Sequence, residues 1–126
     1  SFEPGNHAST FGGPHLACAA ALAAIDVIES EGMVENAAQM GEYFMARAAE
    51  LGKEHGFIAG TRGKGLLLGL KLQGVNGREL QKVCLENGLV VNALGEDLLR
   101  IAPPLNITRE DVDEAFAIII ASAGQM

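Results

Sequence analysis

The spacing of apolar residues changes several times along the chain, and each change marks an element. From Leu16, the sets Leu16, Ala20, Ala23, Val27 and Cys18, Leu22, Ile25, Ile28 recur at helical intervals and together cover most of a helix surface. That pattern predicts a helix buried on more than one side. Pro14 suits its first position, where proline's fixed φ is helical and no N–H is lost, and Gly32 ends it. A second helix follows, amphipathic, with Met33, Ala37, Met40, Phe44, Ala48 and Leu51 on one stripe.

From Phe57 to Leu72 the period drops to two. Leu66, Leu68, Leu70 and Leu72 face one way and Leu67, Gly69 and Lys71 the other, which predicts two strands joined near Gly63-Lys64-Gly65. Asn76 with Glu79 makes a capping pair for a third helix that turns Leu80, Val83 and Cys84 inward and stops at Asn87-Gly88. Leu89 to Asn92 and Leu98 to Ile101 read as short strands around a Gly95-Glu96-Asp97 turn. Pro103-Pro104 forbids helix, and Thr108 with Asp111 caps a last helix whose inner stripe is Val112, Phe116, Ile119 and Ala123. This order predicts an α+β fold: helices packed on a small, mainly antiparallel sheet, preceded by an N-terminal glycine-rich loop.

The length, 126 residues, suits one domain. The 9 Lys+Arg against 16 Asp+Glu leave a net charge of -7 with no basic cluster along the sequence, which argues against a nucleic-acid partner and against an anionic membrane surface. The longest apolar run, Leu16 to Ile25, is too short to cross a bilayer. Cys18 and Cys84 have no CxxC neighbour, so free thiols and a cytoplasmic location are expected. Ser1-Phe2-Glu3-Pro4-Gly5 has no basic region or cleavage site and reads as a chain entered part-way through a longer sequence.

Several chemical motifs fail on spacing. Gly60-Thr61-Arg62-Gly63-Lys64-Gly65 resembles a phosphate loop, but a GxxxxGK[ST] pattern would need glycine at Ile58 and a hydroxyl at Gly65, so a strand-to-strand turn is expected. His7, His15 and His55 fall on different elements without metal-ligand spacing, and no metal site is expected. No nucleophile elbow is present. Two features remain. Ser9 and Thr10 place adjacent hydroxyls in a glycine-flanked loop before a helix, where O–H and N–H donors can converge on an anion; a simple helix-leading turn is the other reading. Arg100 is a lone cation on the strand Leu98-Leu99-Arg100-Ile101. It either grips a carboxylate in a cleft or forms an internal ion pair.

These features and their neighbours resemble the C-terminal part of class III pyridoxal-phosphate aminotransferases. The matching segments are His7-Ala8-Ser9-Thr10-Phe11-Gly12-Gly13 leading into Leu16 to Leu22, then Arg62-Gly63-Lys64-Gly65-Leu66, then Leu99-Arg100-Ile101-Ala102-Pro103-Pro104-Leu105. Gly13-Pro14-His15 stands where the family has Gly-Gly-Asn-Pro. The resemblance implies the small domain of that fold, with residues 1–14 a loop and interface segment and residues 15–126 the small domain. It implies that Thr10 binds the cofactor phosphate of a neighbouring subunit in a homodimer, that Ser9 lies at the substrate, and that Arg100 faces the substrate carboxylate. The family's Schiff-base lysine has no counterpart, since Lys53, Lys64, Lys71 and Lys82 match other segments, so no catalytic residue is assigned and the chain alone is expected to be inactive. Pyridoxal 5'-phosphate is the implied cofactor, and N-acetylornithine (or a close N-acyl diamino acid) and 2-oxoglutarate are the implied substrates. The competing reading is a stand-alone amino-acid-binding regulatory module. An apolar surface for a missing large domain is also expected, on the face carrying residues 19–24.

Overall fold

The computed structural model describes residues 3–6, 9–10 and 12–126, which fall into two compact units, residues 1–33 and residues 34–126. The first unit holds helix α1 (His15–Ser30). Pro14 lies just outside it rather than in its first turn: its backbone is extended, and its carbonyl accepts the N–H of Cys18 at 3.0 Å. The expectation of a helix buried on several sides is overturned. None of its residues is buried, and Leu16, Leu22, Ile25 and Val27 are 84, 64, 52 and 43 % exposed. Periodicity reports that a surface is apolar, not which polypeptide covers it.

The second unit contains the rest of helix α2 (Met33–His55), strands β1 (Ile58–Lys64) and β2 (Leu67–Leu72), helix α3 (Gly77–Glu86), strands β3 (Asn92–Ala93) and β4 (Leu98–Ile101), and helix α4 (Arg109–Ala123). The four strands are all antiparallel in the order β1-β2-β4-β3. Directly paired residues share a face, so Leu68, Leu70, Leu72, Leu99 and Ile101 fall on one side with Ile58. Against that side pack Phe44, Ala48 and Leu51 of α2, Leu80 and Cys84 of α3, and Val112, Phe116 and Ile119 of α4. Phe44 and Phe116 stack at its centre, ring centroids 4.6 Å apart. The three helices leave the other face of the sheet open.

Local chemistry fixes the boundaries. The side chain of Asn76 accepts from the N–H groups of Arg78 and Glu79, starting α3. Thr108 and Asp111 form a full capping box for α4: Asp111 N–H donates to Thr108 Oγ1 at 3.2 Å, and Thr108 N–H to the Asp111 carboxylate at 2.9 Å. The hairpin turn sits later than expected, at Gly65-Leu66, because β1 runs on to pair Lys64 with Leu67. Of the two loop residues, Gly65 has positive φ, +53°, as a two-residue loop with glycine in its first place requires. The strand expected at Leu89 to Asn92 shrinks to Asn92–Ala93, since the chain leaving α3 pairs with β4 only at its last two positions. In α4, Ser122 is fully buried while Ala123 is half-buried; Asn87 donates to its hydroxyl at 2.9 Å. Cys84 is buried among the same residues, and that burial pushes its thiol above the ordinary range.

Candidate functional site

Arg100 is positioned by β4. Leu99 and Ile101 turn into the core, which forces Arg100 onto the open face, paired with Gly69 of β2 and Asn92 of β3. Both flanks of the strand are anchored. Leu94 N–H donates to Leu98 O at 2.8 Å, Ala93 N–H to the Gln81 side chain at 2.7 Å, and Asn36 Nδ2 to the carbonyls of Leu105 and Ile107 at 2.7 and 3.0 Å. Arg100 is exposed and, among the described residues, takes part in no ion pair and no side-chain hydrogen bond. The internal ion pair weighed from the sequence is absent there. Arg47 shows the contrast: its guanidinium is held by Glu50 at 2.7 Å and Asp113 at 3.0 Å. Arg100 is also among the residues lining a hollow of about 550 Å³ whose walls include the helix-side residues Phe44, Val112 and Ile119 and two acids, Asp111 and Glu114. An exposed guanidinium without an ion-pair partner can take a carboxylate in its planar fork.

Other cations share the open face and were not read as site residues. Arg62 pairs with Gly69 from the β1 side, Lys71 follows two residues along β2, and Lys64 closes the hairpin. All three are exposed, and none is ion-paired among the described residues. The signal that could have found them is the period-two alternation itself, which puts Arg62 and Lys64, and separately Gly69 and Lys71, on one side of their strands.

Ser9 and Thr10 belong to the first unit. Both are exposed, and the N–H of Gly12 donates to the carbonyl of Ser9 at 3.2 Å, closing a turn. Neither hydroxyl hydrogen-bonds to another described residue. His7, Ala8 and Phe11 of the same segment lie outside the described residues. His15 opens α1 and His55 ends α2.

The sequence family Aminotransferase class-III matches residues 1–122. The chain belongs to the class-III aminotransferase family. Class-III aminotransferases are pyridoxal-phosphate enzymes, and the exposed Thr10 hydroxyl, beside a turn that runs into Gly12 and Gly13, is a donor of the kind a phosphate accepts from. Among relatives, the acetylornithine aminotransferase of Archaeoglobus fulgidus is 47% identical over 94% of this chain and 29% of its own length. That of Caldanaerobacter subterraneus subsp. tengcongensis is 40% identical over 94% of this chain and 30% of its own. The crystal structure of acetylornithine aminotransferase from Elizabethkingia anophelis superposes with a TM-score of 0.85 at 35% identity, covering 99% of this chain and 32% of that one. Plasmodium falciparum ornithine delta-aminotransferase gives 0.83 at 34%, over 98% and 33%. This class-III chain thus spans about a third of the length of the proteins it matches. The small, helix-covered antiparallel sheet is the fold these structures share with it. Among the described residues, no helix is long and apolar enough to cross a membrane.

Proposed function

We propose that this chain is the C-terminal small-domain portion of a homodimeric, pyridoxal-phosphate-dependent aminotransferase that moves the terminal amino group of N-acetylornithine, or a close N-acyl diamino acid, to 2-oxoglutarate, a cytoplasmic step of arginine biosynthesis. The observation that carries the reading is Arg100, exposed and unpaired among the described residues on β4, in a chain matching the family over residues 1–122. The acetylornithine aminotransferases among its relatives support the substrate class.

When bound, pyridoxal phosphate supplies the electron sink that makes the hydrogen on the amine-bearing carbon acidic. This chain's residues bind and orient. Thr10 offers its hydroxyl and N–H to the phosphate across the dimer interface, Ser9 lies at the substrate end of the same loop, and Arg100 fixes the substrate carboxylate so that the reacting carbon is held in one orientation. Residues 1–14 act as the interface segment and residues 15–126 as the small domain. The uncovered apolar surface of α1, including residues 19–24, is where the large domain docks. No residue here moves the substrate proton. Lys53, Lys64, Lys71 and Lys82 match parts of the family away from the Schiff-base segment. A self-standing regulatory module would share Arg100 but leaves the apolar exposure of α1 without a use.

The test has two arms. The 126-residue chain mixed with pyridoxal phosphate should give no turnover of N-acetylornithine and no visible absorbance that borohydride fixes onto a lysine; labelling of any of the four lysines overturns the assignment. In the intact enzyme, Arg100→Ala should raise KM for carboxylate substrates by about tenfold or more, because a hydrogen-bonded charge pair is lost. An unchanged KM removes Arg100 from the site.

A further inference from the structure

Two Asn-Gly pairs bracket α3, Asn76-Gly77 at its start and Asn87-Gly88 at its end. In such a pair no side chain on the second residue shields its main-chain nitrogen from the asparagine Cγ, so the lability of asparagine is greatest there. The fold treats the two pairs differently. At the first, the reacting groups are held: Asn76 Oδ1 accepts from the N–H groups of Arg78 and Glu79 at 3.0 and 3.3 Å, and the N–H of buried Gly77 donates to Glu96 O at 2.7 Å. A Cβ on Gly77 would stand 3.3 Å from that same carbonyl oxygen, so the main chain has little room to turn.

The second pair is open. Asn87 and Gly88 are both exposed, Gly88 has φ +88°, and nothing stands near the place a Cβ would take. The Gly88 N–H donates to Leu85 O at 3.1 Å, one main-chain bond at a helix end, where local opening is easiest. Asn87 Nδ2 donates to Ser122 Oγ at 2.9 Å and to Gln125 Oε1 at 3.4 Å, while Asn87 Oδ1 accepts no hydrogen bond among the described residues. Ser122 is fully buried, so this amide ties the end of α3 to the inner face of α4.

We propose that Asn87 is a site of spontaneous deamidation and main-chain isomerisation, a modification that releases the end of α3 from α4. The 87–88 peptide turns from its present orientation, with Asn87 ψ at 9°, until the Gly88 nitrogen reaches Cγ. That nitrogen loses its proton to solvent base and bonds to Cγ, Nδ2 leaves as ammonia with a proton from water, and a cyclic succinimide remains. Water then opens the ring. Cleavage of the Cγ–N bond yields aspartate, and cleavage at the main-chain carbonyl carbon yields isoaspartate; in sum one water enters and one ammonia departs. Either product puts a carboxylate in place of the Nδ2 donor, opposite Gln125 Oε1 and at the negative end of the α3 dipole. Isoaspartate also lengthens the main chain just ahead of the bond from Leu89 N–H to Cys84 O that closes α3. The inference concerns the chemistry of the fold itself and stands apart from the aminotransferase reading.

The experiment incubates the intact enzyme in mildly alkaline buffer and follows its tryptic peptides by mass spectrometry. Cleavage after Lys71, Arg78, Lys82 and Arg100 puts Asn76 in peptide 72–78 and Asn87 in peptide 83–100, where fragment ions separate it from Asn92. Asn87 should gain the mass of an amide-to-acid exchange about tenfold or more faster than Asn76, because fewer hydrogen bonds must open first. In denaturant, where only the sequence counts, the two rates should converge. Gly88→Asn is the second arm: asparagine tolerates positive φ, and its side chain shields the attacking nitrogen, so the gain at Asn87 should be lost. Enzyme aged until Asn87 has reacted should melt lower than fresh enzyme, and Gly88→Asn aged in parallel should not shift. An Asn87 that stays intact, equal native rates at Asn76 and Asn87, or a gain that persists in Gly88→Asn overturns the proposal. A converted Asn87 with an unchanged melting midpoint overturns the release of α3 from α4.

Discussion

The hydroxyl of Tyr43 donates to Asp113 at 2.8 Å, and the other carboxylate oxygen of Asp113 accepts from Arg47 Nε at 3.0 Å, tying α2 to α4 at the edge of the core. Arg109 lies over the Tyr43 ring, 5.1 Å from its centroid, and completes the cluster. The hydrogen bond from Tyr43, and then that from Arg47, holds the Asp113 carboxyl below the usual aspartate range; Thr108 does the same for Asp111 through its backbone and side chain.

A pH dependence follows. A carboxyl depressed in the folded state contributes stability that is fully present above its unfolded value, about 3.9, and is lost as pH falls through the lower folded value. Urea midpoints of the chain should therefore hold level from neutral pH down to about 4 and drop below it. In Asp113→Asn the drop should be shallower. Identical acid limbs for the two proteins would show that Asp113 plays no part.

Where α2 crosses the hairpin, main chain meets main chain. A Cβ on Gly41 would overlap the Gly65 carbonyl, standing 2.7 Å from its carbon and 2.9 Å from its Cα, all backbone atoms. Gly41→Ala should cost about 1–3 kcal/mol through overpacking, despite alanine's better helix propensity, read as a lower urea midpoint. A stabilised variant would refute the contact.

Phe116 is 1 % exposed and stacked on Phe44. Phe116→Ala should destabilise by about 3–5 kcal/mol, more than any substitution on the open face of the sheet. Chemical denaturation of Phe116→Ala beside Lys64→Ala gives the comparison, and a smaller loss for Phe116→Ala would contradict the placement of the core.

The two thiols should differ in reactivity. Cys18 is exposed on α1 and Cys84 is buried, with burial disfavouring its thiolate. A chromogenic disulfide reagent should modify Cys18 alone in the native chain and both cysteines in denaturant. Rapid native modification of Cys84, located by peptide mapping, would contradict the packing of α3 on α4.

Much of this architecture was legible because its determinants are local. The Thr108–Asp111 box, the Asn76 cap and the alternating leucines of β2 each lie within a few residues of what they specify. What escaped was set by distant partners. The shortening of β3 depends on where β4 runs, and the Tyr43–Asp113 link joins residues 70 apart. Arg100 was found because it interrupts an apolar strand, whereas Arg62 was read as part of a failed phosphate loop. Only the register, which sets both opposite Gly69, makes them neighbours.

The meeting of Gly41 with Gly65 is main chain against main chain, so no rotamer is available there to absorb a shift. A bulkier residue at 41 therefore has to displace main chain, lifting the hairpin off α2, where at a side-chain contact a rotation would suffice.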